Sequence, residues 1–564
     1  MRKFLAVILA LAFSVGVFGL ALAAEDRHTP RDAVARRAMV ASAKREATLA
    51  GLEILRKGGN AVDAAVAVAL ALNVTEPNAS GLGGGGFMLI RLKDGEVVAF
   101  DYRETAPASS TKDMFASDRA KQEKWSVLGG KAVAVPGLLA GLQAVLERYG
   151  TMTMAQVAEP AIRLAEEGFV VTQNLANIIK DNYEKLARYN DPAKLPFFKD
   201  GVPLAAGDRC VQPQLARALR LIAEKGADAL YRGPIGQAIV EAVNRHGGSM
   251  TMEDLGRYQV KMRKPVEGTY RGYRIFSMAP PSSGGIAVIQ ILNVLENFPL
   301  SSWGFGTPRT IHHMAEAFRL AFADRARYMA DPDFVKVPVE GLTSKAYAAE
   351  RAKMIDPVSP RGEYPFGEPL KYQSSSTTHT SIVDQQGNMV AFTHTINYFF
   401  GSGIWEPTWG IVLNNEMDDF SPDPRSVNAP EPGKRPLSSM SPTLVLDPEG
   451  DPFMVVGTPG ATRIITTIVQ VISNVVDFGM GMDQAIEAPR FASFSSAGKP
   501  TPLFLEKRFP QSLVDLMKVR GYSVEVRGDY DPYFGAAQGV LFDKSRGLMF
   551  GGADSRRDGY AEGF

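Results

Sequence analysis

Thr377-Thr378-His379-Thr380-Ser381-Ile382-Val383, then Asp384-Gln385-Gln386-Gly387-Asn388, then Met389-Val390-Ala391-Phe392-Thr393-His394-Thr395 reads as two strands flanking a turn. A second pair repeats the plan, with 443–446 and 453–456 on either side of Asp447-Pro448-Glu449-Gly450-Asp451. Upstream, Met88-Leu89-Ile90 and 97–102 also read as strands, and Ile411-Val412-Leu413 as a short buried one. Helical periodicity covers 138–148, 154–167, 213–224, 234–245, 310–329, 462–476 and 510–520, and two strands are expected near the C-terminus. Strand pairs among many helices predict an α+β chain whose antiparallel sheets carry helices on their outer faces.

Two segments refine this picture. Asn60 stands before a run, 61–72, that is apolar nearly all round, and Asp63 follows three residues later. That pattern predicts a capped helix buried on every side. Gly83-Gly84-Gly85-Gly86 precedes a strand and lacks a following Gly-Lys-Ser/Thr. It is therefore neither a phosphate loop nor a dinucleotide fingerprint, and it predicts close backbone packing or positive φ angles. Residues 355–376, rich in Pro, Gly and Ser and ending Ser374-Ser375-Ser376, read as an exposed linker.

The chain has 564 residues, enough for about three to five domains or one large core. Lys and Arg number 62 against 61 Asp and Glu, a formal charge of +1. That balance argues against a dedicated nucleic-acid binder and against a disordered acidic chain. A lone cysteine, Cys210, excludes an intramolecular disulfide and a cysteine metal cluster, and is read as packing. His312 and His313 are adjacent and point apart on a helix, so no multi-histidine metal site is expected. Arg2 and Lys3 precede an uncharged run to Ala24 that ends Ala21-Leu22-Ala23-Ala24 before Glu25-Asp26. This layout predicts a secretory signal over 1–23, cut after Ala23, with an uncleaved anchor as the alternative. The mature chain is expected in the periplasm or outside the cell, with no stable membrane span.

Four segments carry candidate chemistry, each beside an ordinary structural reading. Threonines at 377, 378 and 380 are good strand formers, yet Thr377 after a serine-rich segment also fits a nucleophile activated by its own terminal amine, which requires chain cleavage before it. Gly457-Thr458-Pro459-Gly460-Ala461 joins a strand to a helix, either as a plain turn or as an anion-binding one. Asn414-Asn415-Glu416-Met417-Asp418-Asp419 is a solvated acidic turn or a ligand-binding edge. Arg103 is either the fork for a substrate carboxylate or the partner of a neighbouring acid.

Together these strings resemble the gamma-glutamyltranspeptidases, a family of N-terminal-nucleophile hydrolases, from about residue 30 to 564. The most specific are Gly58-Gly59-Asn60-Ala61-Val62-Asp63, Ser80–Phe87, Pro280-Pro281-Ser282-Ser283-Gly284-Gly285, Thr377-Thr378-His379, 413–421 and Arg435-Pro436-Leu437-Ser438-Ser439-Met440-Ser441-Pro442-Thr443. The resemblance implies a four-layer αββα sandwich and a precursor that cuts itself between Ser376 and Thr377. A large subunit, 24–376, and a small subunit, 377–564, would then stay together as a heterodimer. It implies Thr377 as nucleophile, Thr395 as its positioning partner, and Gly460 and Ala461 as the oxyanion hole. Arg103, Ser438 and Ser439 would bind the substrate α-carboxylate, and Asn397, Glu416 and Asp419 its α-ammonium. Donors would be glutathione and other gamma-glutamyl compounds, acceptors water, amino acids or dipeptides, with no cofactor or metal. Two departures stand out: Ala461, where the family has glycine, and a short 421–433 loop without tyrosine, which predicts an open pocket. The alternatives are a glutaryl-type cephalosporin acylase of the same fold and an inactive periplasmic binding protein.

Overall fold

The computed structural model describes residues 29, 31–365, 376–496 and 499–564; the signal-like segment and Ser374-Ser375 lie outside the described residues. Fourteen strands build two seven-stranded sheets. In chain order they are β1 (Ala33–Ala35), β2 (Met39–Ser42), β3 (Gly85–Arg91), β4 (Val97–Tyr102), β5 (Lys261–Arg263), β6 (Val266–Tyr270), β7 (Tyr273–Ser277), β8 (Ser376–Val383), β9 (Met389–Asn397), β10 (Thr443–Leu446), β11 (Pro452–Gly457), β12 (Gln538–Asp543), β13 (Leu548–Ala553) and β14 (Tyr560–Gly563). One sheet runs β14-β2-β8-β9-β3-β4-β5 and the other β1-β13-β12-β11-β10-β7-β6, with antiparallel neighbours throughout.

Alternation along the strands divides the core. On the first sheet Met39, Phe87, Leu89, Met389 and Ala391 share one apolar cluster with the second sheet. Their neighbours Val40, Met88, Ile90, Val390 and Phe392 face the other way, into helices. Those helices are α1 (Arg45–Arg56), α2 (Ala61–Thr75), α3 (Leu138–Tyr149) and α4 (Met154–Glu167), which pack on the first sheet or on one another. On the far face of the second sheet lie α5 (Gly284–Leu295), α6 (Pro308–Tyr328), α7 (Arg463–Val476) and α8 (Met482–Glu487). The order helix, sheet, sheet, helix is the expected αββα sandwich. Each large apolar side chain buried in it contributes about 1.5–3 kcal/mol.

Local chemistry explains the elements nearest the site. Asn60 accepts from the N–H groups of Val62 and Asp63 while Asp63 accepts from Asn60 N–H, so α2 begins with a closed capping box. Every residue of α2 is buried. The turn between β8 and β9 also reaches this helix start: Asp384 accepts from Ala61 N–H at 2.9 Å. The four glycines are explained by close approach and not by positive φ. A Cβ on Gly83, Gly84 or Gly86 would overlap the carbonyl oxygens of Val412, Thr395 and Thr393.

Two expectations are corrected. The 355–365 part of the supposed linker is anchored, because Tyr364 is buried and donates to Glu316 on α6 at 2.6 Å. Polar, periodless composition hides such a single aromatic anchor. The C-terminal region holds four strands instead of two: Val524–Arg527 in a small separate sheet, and β12, β13 and β14 in the main ones. Strand β14, Tyr-Ala-Glu-Gly, is a half-exposed edge and so carries no apolar run to betray it.

Candidate active site

Sheet register brings the candidate residues to one end of the sandwich. Ser376 pairs with Asn397, Thr395 with Gly85, and Gly86 with Tyr102, so the start of β8, the end of β9 and the end of β4 coincide. On the second sheet Thr443 pairs with Val456, which puts the Ser438–Ser441 segment and the turn after β11 at matching ends. A small cavity there, about 30 Å³, is lined by Arg103, Thr377, Thr395, Glu416, Asp419, Ser438, Ser439 and Ala461, together with Arg325. It has room for a water molecule but not for a glutamyl group.

Thr377 is buried at the β8 irregularity, where the register with β9 shifts between Ser376 and Thr378. Its hydroxyl donates to Thr395 Oγ1 at 3.5 Å, and Thr395 Oγ1 accepts from Asn397 N–H at 2.8 Å. The Thr377 carbonyl accepts from Arg557 at 3.2 Å. Two residues on, the His379 imidazole packs so tightly on Gly457 that no side chain would fit there. Burial holds His379 neutral, its pKa down at about 3, with the His394 ring adding to the effect. It bonds Thr393 and Ser381 hydroxyls and serves as packing behind the turn.

In that turn Gly460 has φ +132° and Ala461 φ +54°. The alanine sits in the left-handed region, at a cost of about 1 kcal/mol or more. Their carbonyls accept from Arg463 and Ile464 N–H, while among the described residues neither N–H of the pair donates to a protein group. Ala461 lines the cavity with Thr377 while Gly460 does not, and an unbonded N–H there, just before α7, can receive an oxyanion.

Arg103 is an ion-pair hub. Its Nη1 bonds Glu416 and lies 3.6 Å from Glu104; its Nη2 bonds Asp419 and donates to Leu437 O at 3.2 Å; its Nε donates to Pro436 O at 3.3 Å. The guanidinium has five N–H groups, and each faces one of these partners. Arg103 thus pairs with neighbouring acids in this structure. Burial works against its charge, but Glu416, Asp419 and Glu104 outweigh it and raise the pKa. Burial raises all three carboxyls, Glu416 well above its ordinary value, while the Arg103 charge pulls each of them back down.

The acidic turn is held by its two asparagines. Asn414 donates to the carbonyls of Gly83 and Ala134, and Asn415 accepts from Tyr398 N–H. Asn397 (φ +72°) donates to Asn415 O at 3.0 Å and borders the turn instead of lining the cavity. None of residues 421–433 lines it either. Asn428 pins that loop behind the turn by donating to Asp419 O and accepting from Leu437 N–H. Sequence reading missed two groups, Glu104 and Arg325. Glu104 follows Arg103 directly, and Arg325 sits in a charge-rich helix end, Asp324-Arg325-Ala326-Arg327, where nothing marks it out.

The family profile described as Gamma-glutamyltranspeptidase matches residues 47–564. A Glutathione hydrolase proenzyme of Escherichia coli (strain K12) is 44% identical over 93% of this chain and 91% of its own length. An Acylase ACY 1 proenzyme of Pseudomonas sp. (strain SE83) is 41% identical, covering 93% of each. Among solved structures, the cephalosporin acylase from Bacillus halodurans superposes with a TM-score of 0.85 at 31% identity, over 95% of this chain and 97% of that one.

Proposed function

This chain belongs to the gamma-glutamyltranspeptidase family, and from that premise we propose that it is a self-cleaving gamma-glutamyl hydrolase and transpeptidase acting on glutathione and related donors. The observation that carries this reading is the Arg103–Asp419 ion pair beside Thr377. A donor's α-carbon bears a carboxylate and an ammonium. Such a zwitterion replaces the internal pair charge for charge, the carboxylate taking Arg103 and the ammonium taking Asp419, with Glu416 and Asn397 supporting the acid side. Glutaryl lacks the ammonium and would leave Asp419 without a partner.

In maturation the Thr377 hydroxyl attacks the Ser376 carbonyl, the peptide becomes an ester, and water releases residues 24–376 from 377–564. The freed Thr377 amine then serves as base. In turnover it takes the hydroxyl proton as Oγ1 attacks the γ-carbonyl, and the N–H groups of Gly460 and Ala461 receive the oxyanion. The proton passes to the departing amine. Water or an acceptor amine then resolves the glutamyl-threonine ester. Thr395 holds the hydroxyl in place. The expected setting is periplasmic or secreted; among the described residues no helix is long and apolar enough to cross a membrane.

Two expected outcomes test the clamp and the hole. Arg103→Lys keeps charge but loses the fork, and kcat/KM for gamma-glutamyl anilide is expected to fall roughly 10- to 150-fold while processing continues. Unchanged kinetics would remove Arg103 from the donor site. Ala461→Gly is expected to keep wild-type turnover, since glycine accepts φ +54° without strain. Ala461→Val puts a β-branched residue where it fits worst and is expected to lower kcat about 100-fold by displacing a hole donor. Equal kcat for both variants would sink the assignment of that N–H.

A further inference from the structure

One cation in the cavity is not accounted for by the roles above. Arg325, near the end of α6, has no carboxylate partner within bonding distance among the described residues. Its Nε donates to Ser283 Oγ at 2.7 Å and its Nη2 to Ser439 Oγ at 2.9 Å. Asp419 is the acid that faces it, and burial draws its pKa down to about 10, with Asp419 offsetting part of the effect. A half-buried guanidinium in the same cavity as Thr377, with two hydroxyls and the Phe322 ring as its contacts, is short of an anion.

Of these two hydroxyls, that of Ser439 belongs to a segment lining the cavity and that of Ser283 to a motif packed behind it. Ser283 closes the Pro280-Pro281-Ser282-Ser283 motif, which docks on the 438–440 backbone. Ser283 N–H and Oγ both donate to Ser438 O, Ser438 N–H donates to Pro281 O, and Ser282 Oγ donates to Met440 O at 2.6 Å. The motif is therefore a seat for Ser438 and Ser439, and Arg325 is the charge set into that seat. Arg325 occupies one lone pair of Ser439 Oγ, and the hydroxyl proton of that cavity-lining residue has no protein acceptor among the described residues.

We propose that Arg325 is a specificity-determining residue of the donor site, which together with the Ser439 hydroxyl receives one oxygen of the substrate α-carboxylate while Arg103 receives the other. This rests on the gamma-glutamyl reading given above. The carboxylate would then be held by two arginines, and Arg103 need release only Asp419 on binding.

The test uses purified, fully self-cleaved protein and two probes, gamma-glutamyl anilide as substrate and its α-carboxamide as competitive inhibitor. The inhibitor keeps the shape and ammonium but lacks the carboxylate charge. Arg325→Gln is expected to raise KM for the anilide about 10- to 100-fold with kcat within threefold. The same variant should leave Ki of the carboxamide within about twofold, and Arg325→Lys should recover at least half of the lost affinity on a logarithmic scale. If KM and Ki rise together, Arg325 is structural; if neither changes, it does not touch the carboxylate. Either result overturns the proposal. Should Arg325→Gln remain uncut, Ser439→Ala takes its place, with a KM increase of roughly fivefold and an unmoved Ki expected and a parallel rise decisive against it. Failure of the gamma-glutamyl reading itself would show separately, as a wild type that does not turn over the anilide.

Discussion

Thr377→Ala is expected to leave a single uncut chain with no measurable turnover. The hydroxyl is needed twice, first to attack the Ser376 carbonyl and then to attack the donor, and alanine also prevents release of the terminal amine that acts as base. Wild type should separate on a denaturing gel into pieces of roughly 38 and 20 kDa, residues 24–376 and 377–564. The variant should run as one band. Its fold should survive, because Thr377 Oγ1 makes one long hydrogen bond to Thr395 and β8 is held by its pairing with β2 and β9. N-terminal sequencing of the smaller piece locates the cut. Two bands from the alanine variant, with a new terminus at residue 377, would mean that another group performs the cleavage. An uncut wild type would favour an inactive binding protein.

Asp419→Asn is expected to change what the enzyme prefers. Asp419 bonds Arg103 in the free protein and is proposed to move to the α-ammonium when a donor arrives. Asparagine accepts a hydrogen bond but carries no charge, so gamma-glutamyl donors lose their charge pair. Glutaryl donors gain, because Arg103 no longer has to abandon that acid and no carboxylate is left without a partner. The ratio of kcat/KM for matched gamma-glutamyl and glutaryl anilides should shift toward glutaryl by about 2–4 kcal/mol, or roughly 30- to 900-fold. Processing should continue, since the contact is with substrate. An unchanged ratio would mean that Asp419 does not read the ammonium, and the likeness to acylases would then weigh more in choosing the substrate.

Much of the frame was legible in local sequence. The β8–β9 and β10–β11 hairpins follow from alternation around turn residues, and α2 follows from its Asn60–Asp63 cap and its apolar run. The glycine run correctly signalled close approach, because only a missing Cβ lets β3 and the residues before it meet the carbonyls of Val412, Thr395 and Thr393. These features depend on neighbours a few residues apart, where period and turn geometry are decided. The edge strand β14 and the Tyr364 anchor escaped because each depends on a partner far along the chain, with no pattern of its own.

The charges at the site belong to the same class. Sequence placed Arg103, Glu416 and Asp419 among the candidates but not in one another's grip, since Arg103 and Glu416 are 313 positions apart. Arg325 and Ser439 are 114 apart and carried no joint signal. The candidate threonine and the acids near it were therefore legible in the chain, while the pairing of those acids and their meeting with Arg325 in one cavity were set by the stacking of two sheets and the register within them. The physical reason is that an ion pair's strength depends on the low-dielectric surroundings it shares, and those exist only once the layers have closed around it.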